Sequence, residues 1–421
     1  MNTYNTHTLS NGLRIIHLPQ QSEVVYCGYA IKCGARNEAV AEEGLAHFCE
    51  HITFKGTVHL SPLQVINSLE KLGGELNAYT AKEETVYYAA ILRQFFNKAV
   101  DTLTEIVFHS TYRQTEIEKE MEVVCDEIDS YRDNPAELIY DEFENRMFQG
   151  TPLGHSVLGT KETVRNFTTE HCRRFTSKWY RPDNAVFYIL GDISFSKLVR
   201  RLERLLADFP ISAPTLALRP QANDVSTLSV DNGVIRLEQT REDDTGLQTH
   251  QSHVMMGVAF THNLEHWRIP LFVVNNMLGG PCMNSRLNLA LRERRGLVYT
   301  VESVMTTYSD AMLWSVYFGC DKKDIRRCTR LVASQLESLR HNTLSTTVIN
   351  AVKTQLKGQI ALASQQREGF AIDMAKQYLH RNTLRSNERL YSLVDNVSAD
   401  DIKTLAEEIL NKNNLFTLVY K

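Results

Sequence analysis

A short apolar segment carries three polar residues whose types and spacing suit metal-assisted hydrolysis. Residues 44–54 have the apolar spacing of a helix and contain His47, Glu50 and His51. Histidines four positions apart lie on one face of a helix and can bind a single ion, and neutral imidazoles suit Zn²⁺. Glu50 projects beside that face, where a carboxylate that does not bind the metal can act as general base. This His-x-x-Glu-His order predicts a zinc site, with solvated polar residues on a plain helix as the alternative.

The third protein ligand that a catalytic zinc requires is expected in an acidic helical segment, residues 116–128. Its apolar stripe consists of Ile117, Met121, Val124 and Ile128. Glu120 and Glu127 both border that stripe, and carboxylates at the edge of a core are costly unless they are paired or bind a metal. An ordinary amphipathic surface helix is the alternative. His155 lies in a turn with no metal-binding partner at helical spacing, so we expect it to be structural.

The elements that must position these residues occur twice along the chain at a nearly constant offset. Residues 26–31 and 255–260 form one strand-like pair, shifted by 229, and residues 87–91 and 316–320 form another with the same shift. Further pairs in the same order are 166–168 with 396–398, and 184–189 with 414–419. Shifting the histidine motif by 229 gives 276–280, which has no metal-binding pattern. The repeat therefore predicts two related domains, of which only the first carries the metal chemistry.

The boundary between the two copies is expected where prolines are dense. Three prolines lie within eleven residues, at Pro210, Pro214 and Pro220, and such density is typical of a linker. We predict an N-terminal zinc-binding catalytic domain at 1–212, a linker at 213–224 and a C-terminal homologous domain without a metal motif at 225–421. Strands and helices do not alternate in a strict βαβ rhythm. The expected fold class is therefore α+β, with a mainly antiparallel sheet packed with helices in each domain.

Composition excludes several classes of function. The chain has 421 residues, with 46 Lys and Arg against 50 Asp and Glu for a net charge of −4, and no block of like charge. We therefore expect no nucleic-acid partner and no membrane contact, and no apolar run approaches the roughly 18 residues that span a bilayer. The polar first residues lack the features of a signal or transit segment. The 8 cysteines form no CxxC pair, so reduced thiols and a cytoplasmic location are expected.

Together these motifs resemble the pitrilysin/insulinase family of zinc peptidases, also called inverzincins. The resemblance is carried by the histidine motif with its flanks (residues 44–57), by Glu127 at 76 positions past His51, and by residues 73–80 with the acidic residues that follow. It extends from about residue 9 to residue 418. Within the family, the chain most resembles the short bacterial peptidases and the β subunit of mitochondrial processing peptidase.

The resemblance implies a role for each residue of the metal site. His47, His51 and Glu127 would be the ligands of one Zn²⁺ per chain, and Glu50 would be the general base. Glu120 would be a carboxylate near the zinc that supports the geometry of the ligands. Cobalt and manganese are alternatives to zinc, because the same ligand geometry tolerates all three.

The resemblance also implies residues that contact substrate. Arg292 and Tyr299 resemble the family's arginine–tyrosine pair, which could hold a peptide carbonyl and donate to the developing oxyanion. Gly279 and Gly280 begin a segment that resembles the family's glycine-rich loop, with fewer glycines; a plain loop is the alternative. An edge strand near the zinc could pair with an extended peptide through its main chain. That expected substrate-binding strand consists of Leu76, Asn77, Ala78, Tyr79 and Thr80.

The function implied by the resemblance is that of a zinc metalloendopeptidase. It would hydrolyse peptides or unfolded segments in an enclosed chamber, with a zinc-activated water and Glu50 as general base. Family members of this length resemble half of a single-chain clamshell. A homodimer is therefore implied, because the zinc residues and the pair Arg292 and Tyr299 lie in one chain. The alternative is a non-catalytic or hetero-oligomeric partner subunit of a complex like the processing peptidase.

Overall fold

The computed structural model of the chain describes residues 4–210, 230–231, 233–235, 241–243 and 251–421. The predicted linker at 213–224 lies outside these residues. Besides short 3₁₀ turns, the elements up to residue 210 are β1 (Asn5–Thr8), β2 (Arg14–Leu18), β3 (Val24–Ile31), α1 (Leu45–Thr53), α2 (Pro62–Glu70), β4 (Glu75–Thr80), β5 (Thr85–Leu92), α3 (Phe96–Phe108), α4 (Gln114–Arg132), α5 (Pro135–Met147), α6 (Lys161–Val164), α7 (Thr169–Trp179), β6 (Ala185–Leu190) and α8 (Phe195–Leu205).

The elements after residue 229 are again strands and α-helices, together with one π-helical segment at Asn288–Glu293. They are β7 (Val230–Asp231), β8 (Val234–Ile235), β9 (Arg241–Asp243), β10 (Ser252–Phe260), α9 (Leu264–Gly279), β11 (Val298–Thr307), β12 (Met312–Cys320), α10 (Ile325–His341), α11 (Thr346–Ala363), α12 (Arg367–Arg381), α13 (Asn387–Asn396), α14 (Ala399–Glu408) and β13 (Phe416–Tyr420). Within the described part of the chain, no helix combines the length and the apolar character that crossing a membrane requires.

The described residues form two compact units, and each unit takes one segment from the other half of the sequence. Among the described residues, the first unit draws on 4–128, 155–210 and 362–386, and the second on 129–154, on those between 230 and 361, and on 387–421. Helix α5 therefore belongs to the second unit, although it precedes the predicted linker, and α12 belongs to the first. The boundary predicted from the sequence follows the two copies of the repeat, whereas each packed unit includes a segment from the other half of the chain.

The first unit is built on a sheet with the strand order β1-β2-β6-β3-β5-β4. Neighbouring strands are antiparallel except β2 and β6, which are parallel. Side chains that alternate along the strands point to opposite faces. Tyr29, Tyr87 and Phe187 join the core that includes α1 and α3 on one face. On the other face, Val186 and Tyr188 pack with residues of α12.

The second unit repeats this plan with the strand order β11-β12-β10-β13-β9, and β8 pairs with β10 and β7. Again only one neighbouring pair in that order is parallel, β13 with β9. Trp314 and Phe318 face a core with α9 and α10. Phe416 and Leu418 face the opposite side, where they pack with residues of α5. Each sheet is therefore covered on both faces, which explains why the central strands β6, β10 and β12 are buried along their whole length.

The expected fold class, α+β with two homologous domains and mainly antiparallel sheets, is confirmed. The order β4-β5-β3-β6-β2 in the first unit corresponds to β11-β12-β10-β13-β9 in the second. The constant offset of 229 does not extend to the strand register, however. Cys27 is opposite Ala89, so the offset would place Met256 opposite Phe318, but Met256 is opposite Val316. A slip of two residues keeps each side chain on the same face of the sheet, whereas a slip of one would not.

Candidate metal centre

Helix α1 carries the histidine motif and is buried along almost its whole length. Leu45, Phe48 and Ile52 recur at helical spacing and pack into the core of the first unit, which anchors the helix beneath the sheet. The same spacing places His47 and His51 together on another face, with their ring centres 4.6 Å apart. The apolar residues of α1 thus determine which way both imidazoles point.

Glu127 of α4 lies opposite the two imidazoles. Its Oε2 is 3.8 Å from Nε2 of His47 and 3.5 Å from Nε2 of His51. Each residue offers one ligand atom within 4.8 Å of the other two, and these three residues are the one such group found among the described residues. Ligands bound at about 2.0–2.1 Å in a tetrahedron lie about 3.4 Å apart, so the spacing suits a zinc-sized ion. Two imidazoles and a carboxylate are also a donor set that catalytic zinc sites use.

The electrostatic surroundings shift the pKa values of the two histidines in opposite directions. Burial, with His51 as a further cause, lowers the pKa of His47 to about 3, so its imidazole is neutral. Burial would also lower the pKa of His51, but the hydrogen bond with Glu120 and the nearby carboxylates outweigh burial and raise it. A positive ion bound between the two Nε2 atoms would require both rings to be neutral, which suits the ring of His47 in particular.

Glu120 is buried against the far side of His51. Nδ1 of His51 donates to Oε1 of Glu120 at 3.0 Å, and Nζ of Lys55 donates to the other carboxylate oxygen at 2.7 Å. Burial would raise the pKa of Glu120, but these two hydrogen bonds lower it below its usual value. A carboxylate that fixes Nδ1 leaves Nε2 free to bind metal and sets the orientation of the ring. The structure thus places Glu120 and Glu127 on opposite nitrogens of His51.

The Glu50 carboxylate is buried and accepts one short hydrogen bond. Oγ1 of Thr80 donates to Oε2 of Glu50 at 2.5 Å. Burial raises the pKa of Glu50 to about 7, while Thr80 and His51 act in the opposite direction and Glu127 adds to the increase. A carboxyl group whose pKa is near neutrality can both accept and release a proton, as a general base and acid must.

Residues 76–80, expected as a substrate-binding strand, form most of β4. This strand pairs with β5 and ends the described sheet, so its other edge is unpaired there. Leu76 and Ala78 face the core that includes α1, and Tyr79 faces the opposite side of the sheet. Thr80 has an additional role that sequence reasoning missed, since its hydroxyl binds Glu50. Lys55 was also missed, because nothing in its position four residues after His51 indicates that it contacts α4.

The four remaining predicted residues, Gly279, Gly280, Arg292 and Tyr299, belong to the second unit. Arg292 lies in the π-helical segment, a rare conformation that is frequent at functional sites. Its guanidinium carbon is 5.4 Å from the ring centre of Tyr299, and Tyr299 itself is 76% exposed. The two side chains therefore form a cation–π pair, in which the Tyr299 ring is exposed.

Gly279 and Gly280 have no room for a side chain. A Cβ at Gly279 would lie 2.5 Å from the backbone nitrogen of Ser303, and one at Gly280 would lie 2.5 Å from Oδ1 of Asn276. Close packing within the second unit accounts for both glycines. Their expected role in substrate handling stays a prediction.

Two protein-family models match this chain. Residues 15–161 match the family model of insulinase (peptidase family M16), and residues 166–356 match that of the peptidase M16 inactive domain. The chain belongs to peptidase family M16. The family expected from the sequence is thereby confirmed, and the one His-His-Glu group found among the described residues, His47, His51 and Glu127, lies within the span of the first model.

Relatives in this family extend over the whole chain. An uncharacterized zinc protease of Bacillus subtilis, YmxG, is 29% identical over 416 residues, covering 98% of this chain and 97% of the relative. An uncharacterized zinc protease of Streptomyces coelicolor, SCO5738, is 29% identical over 419 residues, covering 99% and 89%. The descriptions of both relatives name a zinc protease but no substrate.

Solved structures show the same M16 fold. A protease from Helicobacter pylori superposes with a TM-score of 0.88 at 19% identity, over 100% of both chains. A peptidase M16 inactive domain from Pseudomonas fluorescens superposes with a TM-score of 0.83 at 17% identity, over 99% of this chain and 97% of the other. At these identities the similarity shows the fold alone, and it agrees with the two homologous domains described above.

Proposed function

We propose that this chain is a zinc-dependent metalloendopeptidase that binds one Zn²⁺ per chain and hydrolyses peptides or unfolded segments. The observation that carries the proposal is the convergence of Nε2 of His47, Nε2 of His51 and Oε2 of Glu127, next to the buried carboxylate of Glu50 in the same helix. Three ligands leave a position open for water, which distinguishes a catalytic zinc site from a structural one. The naming of relatives as zinc proteases supports the same assignment.

Each residue around the site would have a separate role in hydrolysis. Bound Zn²⁺ would supply Lewis acidity toward the scissile carbonyl and the attacking water. Glu50 accepts the proton of that water and delivers it to the leaving nitrogen, while Thr80 holds one carboxylate oxygen in place. Glu120 and Lys55 keep His51 in the tautomer that presents Nε2.

Substrate binding is assigned to the free edge of β4 and to the pair Arg292 and Tyr299. An extended peptide that adds to β4 would make main-chain hydrogen bonds, so the site would favour short or unfolded substrates over particular sequences. The guanidinium of Arg292 is suited to hold a peptide carbonyl, and the exposed phenol of Tyr299 can donate to the oxyanion.

Digestion of a peptide library, followed by mass spectrometry, tests the proposal. We expect cleavage by the purified protein, loss of cleavage with 1,10-phenanthroline, and recovery when Zn²⁺ is added back in slight excess. Elemental analysis should find zinc near one per chain, and Co²⁺ or Mn²⁺ in the add-back step tests the alternative metals. A folded protein that takes up no zinc would contradict the proposal. Stoichiometric zinc without cleavage of any peptide would favour the partner-subunit alternative instead.

We further propose that the active form is a homodimer in which Arg292 and Tyr299 serve the zinc site of the partner. Mixing a Glu50→Gln chain with an Arg292→Ala chain should then restore activity, although each variant alone is inactive. Random exchange gives about one quarter of wild-type activity, because half of the dimers are mixed and each of these has one intact site. Peptide turnover after subunit exchange measures this recovery. A mixture no more active than its components would count against shared sites.

A further inference from the structure

The two histidine ligands are supported unequally. Glu120 fixes the ring of His51 through Nδ1. Nδ1 of His47 is also buried, but it has no hydrogen-bond partner among the described residues. No side chain therefore orients the His47 ring in the way that Glu120 orients His51. The position of His47 must follow from the backbone of α1 and from close packing.

His47 lies in the first turn of α1, as its third residue. The N–H groups of a first turn have no acceptor within the helix, so a side chain usually accepts from them. In α1 the preceding residue is Gly44, which has no side chain for this role. Its φ of 95° is left-handed, and a Cβ there would lie 2.5 Å from the carbonyl oxygen of Leu158. A capping side chain must therefore come from elsewhere in the chain.

Glu38 provides that side chain from outside the helix. Its Oε1 accepts from the backbone nitrogen of Ala46 at 2.6 Å, and its Oε2 accepts from that of Gly44 at 2.8 Å. The Glu38 side chain is fully buried. A negative charge at the N-terminus of a helix also interacts favourably with the helix dipole. The carboxylate thus binds the backbone nitrogens on either side of Leu45, the first residue of α1. The second of these nitrogens belongs to Ala46, which directly precedes His47.

His155 holds Glu38 in this position. Its Nε2 lies 3.1 Å from Oε2 of Glu38 and 3.1 Å from the carbonyl oxygen of Ala35. Both of these atoms accept hydrogen bonds, so Nε2 carries the proton and donates. Lys82 in turn donates to the backbone oxygen of His155. The structural role expected for His155 is thus to donate the third hydrogen bond to the buried carboxylate of Glu38, after the two from the helix backbone.

We propose that Glu38, held by His155, is a positioning residue that fixes the first turn of α1 and so places Nε2 of His47 for the metal. The inference rests on the proposed zinc site and adds a residue that the His-x-x-Glu-His motif does not contain. His51 is held separately by Glu120, so loss of Glu38 should disturb one ligand and leave the other in place. The effect should appear as weakened metal binding in a chain that still has every ligand.

The test compares Glu38→Gln and His155→Gln with Asp101→Asn in the full-length protein. Asp101 is a matched control, because it also accepts two hydrogen bonds, from Arg201, but joins α3 to α8. Competition with a chromophoric chelator measures Zn²⁺ affinity, and the visible spectrum of the Co²⁺-loaded protein measures ligand geometry. Circular dichroism of the metal-free proteins establishes that each variant is folded.

We expect Glu38→Gln to weaken Zn²⁺ binding by about 10–100-fold, as does loss of other groups that orient metal ligands. His155→Gln should have a smaller effect in the same direction, and it remains informative if Glu38→Gln does not fold. With saturating zinc, kcat should fall while KM changes little, because β4 is unaltered. Zinc affinity and Co²⁺ spectra equal to wild type in both variants would overturn the inference, as would an equal loss in Asp101→Asn. A wild-type protein that binds no Zn²⁺ would instead contradict the proposed function.

Discussion

Replacing Glu50 by glutamine is expected to lower kcat for peptide hydrolysis by about 10²–10⁴-fold while zinc content stays at the wild-type level. The amide has the size of the carboxylate and can still accept from Thr80, so the local structure is retained. It cannot accept a proton from water at neutral pH, however. Steady-state kinetics on a fluorogenic peptide, together with elemental analysis of the same sample, measure both quantities.

Thr80→Val provides the matched control for this prediction. It removes the hydroxyl that donates to Glu50 but leaves the carboxylate, so we expect a smaller loss of kcat, about tenfold. Turnover of Glu50→Gln close to wild type would mean that another group is the base. Loss of zinc along with activity would mean that Glu50 is itself a ligand.

The second large effect is expected at Glu127. Glu127→Ala should abolish stoichiometric zinc and reduce hydrolysis to background, because two imidazoles alone do not complete the ligand set of a catalytic zinc. The Oε2 atom of Glu127 is the one carboxylate oxygen within 4 Å of Nε2 on both histidines among the described residues. Chelator competition and elemental analysis measure the loss of metal, and peptide turnover measures its consequence.

Two neighbours on α4 serve as controls for Glu127. Asp126 is exposed, so Asp126→Ala should leave zinc binding unchanged. Glu120→Gln should weaken zinc binding by about 10–100-fold without abolishing it, because Glu120 contacts His51 at Nδ1, away from the expected metal position. The reverse pattern, with zinc lost in Glu120→Gln and retained in Glu127→Ala, would exchange the roles of the two glutamates.

These residues also show how far the sequence leads. Spacing alone placed His47, Glu50 and His51 on one helix, because a helical period relates residues in the same element. It also indicated that Glu120 and Glu127 border a core stripe, but treated them alike; only the resemblance to the family separated their roles. In the structure the two glutamates lie two turns apart on α4, so Glu120 contacts Nδ1 of His51 and Glu127 lies near its Nε2.

Contacts between distant parts of the chain had no signal in the sequence. Thr80 reaches Glu50 from the end of β4, and Lys55, just after the end of α1, reaches Glu120 of α4. The Glu38 side chain binds the N-terminus of the helix that follows it, and His155, more than 100 residues later, donates a hydrogen bond to the same carboxylate. None of these pairs shares a helical or strand period, so only the packing of separate elements brings them together.

For the fold, as for the site, some features follow from the sequence and others only from tertiary packing. The sequence by itself determined that there are two copies of one α+β unit and that only the first carries the His-x-x-Glu-His motif, because repeats and short-range periodicity are properties of the chain. It did not determine that α5 and α12 exchange between the units, or that the register slips by two residues. An amphipathic helix shows that it has a face to bury, but not which sheet it covers. That choice, and with it the full environment of the metal site, is made only when the elements pack.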